Sequence, residues 1–453
     1  MKSLKKILCV ALSALMLMQF AIIGASAAQA DYTIVNPYSE VIWNGADAWG
    51  AYKGTVHSHT TYSDAEDTLP VIVKEYYNQD YDFLAISDHG ITGVDWDKAP
   101  DTQLLYTYQW LIGNPYEHLT TEEYTAIKDG SYPLYDGTVR GKGLLPILGA
   151  NEFNHFSLTK NHVNGFFLPG TTGSGYAGAE NERGFEQVIK FIEENGGISH
   201  INHPGDWLNT NANPDAVNDP NNIKFFGDLM LKYDSCLGME VFNERNGTTG
   251  YDRILWDNLL MYCLPYGKNV IGYSNTDAHW CDTVDSSFSV FMMEDNTVDN
   301  VKKTMQNGAF FMITRKLRPN KWIGPSEELD VMNMGLPYPM FTNVAVNGHK
   351  ISVNAKDCDT IKWIANGKII AETIGTASTI DLDKIKGSED FQYVRAELYG
   401  EGGMCLTQAF AIDDGSELLE FEDKEMTFGE KFINWFKGTK LWAIIGEIIM
   451  AIE

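Results

Sequence analysis

The chain has 453 residues, 44% of them hydrophobic, with 22 phenylalanines, 22 tyrosines and 11 tryptophans. That is material for two or three folded domains and too much apolar surface for a disordered chain. Its 61 acidic residues outnumber 34 basic ones, a formal charge of −27, which excludes a nucleic-acid or anionic-membrane binder working through a broad basic face but leaves room for a small anion held by metal ions.

Residues 1–30, MKSLKKILCVALSALMLMQFAIIGASAAQA, join three lysines, an apolar run and small residues in A-x-A-like order. This is the pattern of a secretory signal peptide, cleaved after Ala27 or Ala30; the alternative is a retained N-terminal anchor. Cleavage would remove Lys2, Lys5 and Lys6 and no acid, moving the charge to −30. The expectation is a secreted or cell-surface protein. Cys236, Cys263, Cys281, Cys358 and Cys405 follow without a CxxC, so neither a zinc ribbon nor a redox motif is indicated. Export would permit a disulfide between Cys358 and Cys405, which share one late segment.

From about residue 50 to 315, short apolar runs ending in polar residues alternate with helical patterns. YKGTVHSH, YDFLAISDHG, LLPILGANEF, HVNGFFLPG, GGISHINHPG, LGMEVFN and NVIGYSNTDAH read as buried strands. LPVIVKEYYNQ, RGFEQVIKFIEENGG and YDRILWDNLLMY read as helices. The alternation predicts an α/β fold with a parallel sheet, closed at this length into a barrel whose strand ends carry the site. Two insertions, 95–143 and 204–232, follow strand ends and are expected as long loops over the same mouth. Domain boundaries are placed at 31–335 for this unit and 336–413 for a run of short alternating strands with Asn-Gly turns, expected as a small β-sandwich. Residues 414–453 form an amphipathic helical tail in which Phe428, Phe432, Trp435, Phe436, Leu441, Trp442, Ile445, Ile448, Ile449 and Ile452 recur at helical spacing. Its last apolar stretch is too short to span a bilayer; residues 425–453 suit contact with a membrane surface, self-association or packing on the body.

Eight of the ten histidines lie at or beside strand ends before residue 315; only His118 and His349 fall elsewhere. His57 and His59, one residue apart, share a face if the backbone is extended, and Asp64 follows. Asp88 and His89, then Glu152, His155 and His162, then His200 and His203, then Asp277 and His279 end other strands. A core histidine bonded to a carbonyl explains one such case, not all of them. Glu240 and Asn243 end a further strand at this mouth, and Arg245 after them is a candidate phosphate contact or an ordinary surface arginine.

These motifs resemble the polymerase and histidinol phosphatase (PHP) family of metal-dependent phosphoesterases. The likeness covers residues 50 to 315 and keeps family order: the His57 and His59 pair with Asp64, Ser-Asp-His ending at His89, Glu152 with His162 ten residues on, His203 with Pro204, and Asp277 with His279. It implies a distorted (β/α)7 barrel and three divalent ions, Mn, Zn or Fe. His57, His59, Glu152 and Asp277 would hold the first, Glu152, His162 and His203 the second, and Asp64, His89 and His279 the third. Glu152, Asp277 and His279 are the implied catalytic residues. Family spacing favours His162 over His155 and His203 over His200, leaving His155 and His200 as second-layer or substrate contacts; Asp88 is expected to orient a ligand histidine. The implied reaction is hydrolysis of a phosphate ester by a metal-bridged hydroxide. A small phosphomonoester suits the charge best. A phosphodiesterase or 5'-3' exonuclease is the alternative, served by base stacking on aromatics in 95–143. A non-catalytic metal-binding surface protein is the third reading.

Overall fold

A computed structural model describes residues 32–99, 116–153, 161–169, 182–243, 250–315 and 335–423. Residues 1–31 (expected to include a signal peptide), His155, Arg245 and residues 424–453 of the tail lie outside the described residues, as do 100–115 of the first insertion.

Local sequence accounts for the elements. Seven helices are described: α1 (Leu69–Asn78), α2 (Thr121–Asp129), α3 (Glu182–Glu194), α4 (Pro204–Trp207), α5 (Pro220–Lys232), α6 (Asp252–Cys263) and α7 (Val298–Asn307). Helix α1 starts with Pro70 in its first turn and buries Leu69, Ile72, Val73, Tyr76 and Tyr77, one stripe at helical spacing. Helix α2 opens on a reciprocal cap between Thr120 and Glu123 and stops at Gly130, whose φ of 83° only glycine adopts without cost.

The strands before residue 315 are β1 (Thr33–Val35), β2 (Gly50–Thr55), β3 (Phe83–Leu84), β4 (Leu145–Pro146), β5 (Asn151–Phe153), β6 (Val163–Phe166), β7 (Ile198–Ile201), β8 (Cys236–Asn243), β9 (Ile271–Asn275), β10 (Ser287–Met293) and β11 (Phe310–Thr314). β2, β3 and β4 pair in parallel, as do β7, β8 and β9. β6 departs from the expected parallel pattern and runs antiparallel to both β5 and β7. Only residues 154–162 join β5 to β6, too few for the crossover of about a dozen residues that a parallel pair needs. Reversal brings the start of β6, and with it His162, to the pole where the neighbouring strands end.

The ladders among the described residues do not close into a barrel: β2, β3 and β4 belong to an eleven-stranded sheet, and β5 to β9 form a second. Single backbone bonds cross both gaps. Glu152 N–H donates to the Ser87 carbonyl at 2.8 Å, while Asp277 N–H and His59 N–H donate to His57 and Ala278 at 2.9 and 3.0 Å. Ser58 bridges Ala278 in parallel, so His57 and His59 flank one paired residue and face the same way.

Residues 204–232 are not the expected loop. They carry α4 and α5 in the β7-to-β8 crossover, and α5 packs on α6 of the next crossover, from β8 to β9. Their Asn and Asp residues obscured the helix, yet one of them starts it: Asp219 accepts from Asn221 N–H, with Pro220 next.

After residue 336 come β12 (Met340–Asn347), β13 (Lys350–Lys356), β14 (Thr360–Ala365), β15 (Lys368–Ile374), β16 (Ala377–Asp381), β17 (Tyr393–Gly400), β18 (Gly403–Leu406) and β19 (Phe410–Asp413). β12, β13 and β16 form a small sheet. The others join the large one, because β18 pairs with β11 and β11 with β10. Val344, Ile351, Val353 and Ile380 share a buried cluster with Ile361, Trp363 and Leu398. All five described cysteines are thiols, so the disulfide between Cys358 and Cys405 is absent. Among the described residues no helix is long and apolar enough to cross a membrane.

A buried ionic network ties the two halves. Arg395 on β17 donates twice to Asp257 on α6, at 2.8 Å each, and once to Glu397 at 2.5 Å; Arg253 reaches Glu397 at 3.2 Å. All four are 2% exposed or less. Arg395→Met strands the buried Asp257 carboxylate, leaves Glu397 with Arg253 as its cation, and should lower unfolding free energy by about 3–5 kcal/mol, read from a denaturant midpoint. A loss under about 1 kcal/mol would show that water reaches the network.

Candidate metal centre

At the strand ends the carboxylate of Glu152, 1% exposed, is met by five imidazoles. Its Oε2 lies 3.2 Å from His57 Nε2, 2.9 Å from His59 Nε2 and 3.3 Å from His89 Nε2. Its Oε1 lies 2.9 Å from His162 Nδ1 and 3.2 Å from His203 Nε2. Asp277 Oδ1 sits 3.1 and 3.2 Å from the Nε2 atoms of His57 and His59. Asp64 approaches His59 and His279 at 3.6 and 3.5 Å through Oδ1, and His89 at 3.6 Å through Oδ2. All nine ligands expected from the sequence therefore meet in one place.

Among the described residues, three groups have donor atoms close enough for one ion each. They are His57, His59, Glu152 and Asp277; His89, Glu152 and His162; and His59, Asp64 and His279. The first coincides with the expected grouping. The others differ in that His89 sits with Glu152 and His162, His59 joins Asp64 and His279, and His203 stands outside the three, still against Glu152.

Neighbouring acceptors set which nitrogen of each ring carries a proton. His57 Nδ1 faces Glu240 Oε1 at 2.8 Å, His89 Nδ1 faces the Glu152 carbonyl at 3.2 Å, and His279 Nδ1 faces the Asp277 carbonyl at 3.1 Å. None of these oxygens can donate, so Nδ1 must. Ser63 Oγ–H donates to Asp88 at 2.5 Å and presents a lone pair to His59 Nδ1 at 3.2 Å. In the neutral rings, Nε2 of all four histidines then aims a lone pair inward. The Nε2 atoms of His57 and His59 are 3.1 Å apart, beside Glu152 Oε2 and Asp277 Oδ1. Asp277 Oδ1, buried, accepts no hydrogen bond among the described residues.

Lone pairs so concentrated need a cation among them. With protons alone, burial opposes the charged form of His57, but Asp277, Glu152 and Glu240 prevail and hold its pKa well above the imidazole range. His59 and His203 behave alike and reach about 9, His59 through Asp277 and Glu152, His203 through Glu152. Burial favours neutral Glu152 and Asp277, yet surrounding imidazoles keep both carboxyls far below the usual range. Two or more divalent cations meet the same need, and mixed imidazole and carboxylate donors suit Mn, Zn or Fe.

A second layer supports the ligands. Glu240, fully buried, accepts from His57 Nδ1, Asn275 Nδ2, His203 N–H and Asn243 Nδ2 at 2.8, 2.9, 3.0 and 2.8 Å. Asp88 binds Thr60 N–H, Thr60 Oγ1 and Ser63, and so orients His59 through Ser63. His200 is not at the centre: it lies between Tyr273 and Phe166, at ring distances of 4.5 and 5.2 Å, and burial pushes its pKa down to about 4. Sequence reasoning placed Glu240 at the mouth without a role, and missed Ser63, Asn202, which donates to Glu152 Oε1 at 2.8 Å, and Asn275. Their only signal is asparagine or serine within a residue or two of a ligand.

No protein-family model matches the chain, and no curated protein matches it either. Among solved structures it is similar to a two-domain protein containing a predicted PHP-like metal-dependent phosphoesterase from Bacteroides vulgatus, at 14% identity and TM-score 0.38, over 82% of this chain and 98% of that one. It is also similar to the lesion-specific endonuclease PfuEndoQ from Pyrococcus furiosus, at 14% identity and TM-score 0.30, over 57% of this chain and 56% of that one. PsfC from Pseudomonas syringae is similar at 14% identity and TM-score 0.30, over 57% and 88%.

Glu240→Gln turns an acceptor of four N–H donors into a group carrying an N–H₂ among them. It should weaken metal retention about 10–100-fold against a competing chelator, with the fold intact by circular dichroism. Unchanged retention would mean that His57 keeps its orientation without Glu240.

Proposed function

We propose that the chain is a metal-dependent phosphoric ester hydrolase whose preferred substrate is a small phosphomonoester. The observation that carries this reading is the inward Nε2 set of His57, His59, His89 and His279 around the Glu152 and Asp277 carboxylates. Three ions are proposed around these donor groups, with the single Nε2 lone pair of His59 serving one ion and His203 a further donor beside Glu152. Bound there, divalent ions supply positive charge to phosphoryl oxygens and lower the pKa of water towards about 7.

The chain's own residues do the rest. Glu152 belongs to two donor groups, so its carboxylate fixes their spacing. Asp88, Ser63 and Glu240 hold His59 and His57 in the required tautomer. Burial of His57, His59 and Glu152 excludes bulk water from the inner side. The charge of −27 favours a compact anion over a long polyanion. In the same reading β2 to β9 are a distorted (β/α)7 barrel, supported by the backbone bonds across both gaps, and residues 1–30 direct export.

Protein loaded with Mn or Zn should retain roughly three ions and hydrolyse an aryl phosphate faster than the corresponding diester. Glu152→Gln should cut turnover at least about 100-fold and reduce metal content, measured by elemental analysis. Diester preference would promote the phosphodiesterase or exonuclease reading. Fewer than two ions with no turnover on either ester would replace hydrolysis by the non-catalytic surface protein.

A further inference from the structure

Exposure around the centre is graded. The side chains of His57, His59, Glu152, His203 and Asp277 are at most 9% exposed, whereas His279 reaches 22% and Asp64 40%. The centre therefore opens on the side of Asp64 and His279. Next along the chain stands Trp280, 42% exposed, its ring 5.9 Å from that of His279 at 46°. It belongs to neither buried apolar cluster.

The backbone on both sides of Trp280 is stapled. Glu66 N–H donates to the His279 carbonyl at 3.0 Å, and Cys281 N–H to Asp67 Oδ2 at 2.8 Å. The Trp280 carbonyl accepts from Thr283 N–H at 3.0 Å and from Thr283 Oγ1 at 2.7 Å. A large exposed indole thus stands on pinned backbone beside the open edge of a charged centre. That arrangement suits a ligand with a flat face.

We infer that Trp280 is the platform for the substrate's leaving group, so that the preferred esters carry an aromatic leaving group, aryl or nucleobase-bearing. This rests on the phosphoesterase reading and names its substrate class. The reaction stays a simple hydrolysis: water oxygen forms a new P–O bond, the P–O bond to the leaving group breaks, and the departing oxygen gains a proton. The phosphoryl group lies inward at the donor groups, and the aromatic part lies outward over the indole.

The test compares p-nitrophenyl phosphate and a nucleoside monophosphate with glycerol phosphate, in wild-type, Trp280→Ala and Trp280→Phe protein loaded with Mn. Calorimetry of phenylphosphonate against methylphosphonate reads binding without turnover. Wild type should favour the aromatic member of each pair; Trp280→Ala should reduce that preference about tenfold or more, chiefly through KM, and Trp280→Phe should keep most of it. Equal preference in wild type and Trp280→Ala overturns the platform while leaving the phosphoesterase reading standing. Absence of both turnover and phosphonate binding in wild type overturns the two together.

Discussion

Everything at the strand ends depends on one electrostatic constraint: several imidazole lone pairs and two ionised carboxylates occupy one buried volume. Such a set repels itself unless a positive charge sits inside it. The protein does not relax the conflict by turning rings outward. Glu240, Ser63 and two backbone carbonyls lock the tautomers that aim lone pairs inward. Tautomers held in this way are what a metal site uses to present its donors.

The fold serves this convergence through strand direction. Parallel strands deliver His57, His59, His89, His203 and Asp277 to one pole because each lies at or beyond a C-terminal end. β6 is antiparallel and contributes from its start, so His162 reaches Glu152 from the opposite direction along the chain. Away from the centre, the pairing of β18 with β11 and the network of Arg395, Asp257 and Glu397 join the late strands to the first half. The late strands thereby become part of the support of the sheet that carries the centre.

The residues that cluster at the strand ends were legible because their signal is local. His57 and His59 are two apart in the sequence, as are Asp277 and His279 (although Asp277 takes a left-handed φ of 46°), and histidine is scarce enough for strand-end clusters to stand out. Helices α1, α3 and α6 were legible from apolar spacing. Helix α5 was not, because its Asn- and Asp-rich surroundings read as loop although Asp219 is a cap. The role of Glu240 was hidden for another reason: its contact with His57 joins residues 183 positions apart, and no spacing rule reaches that far.

The sequence by itself determined the donor chemistry, the strand-and-helix alternation and the acidic surface, since residue type and short-range period are written along the chain. Only the tertiary structure decided how the ligands group, which ring nitrogens face inward, that β6 reverses and that the late strands extend the first sheet. Those features follow from contacts between distant segments, where hydrogen-bond partners and strand direction are set by packing and not by the spacing of neighbours.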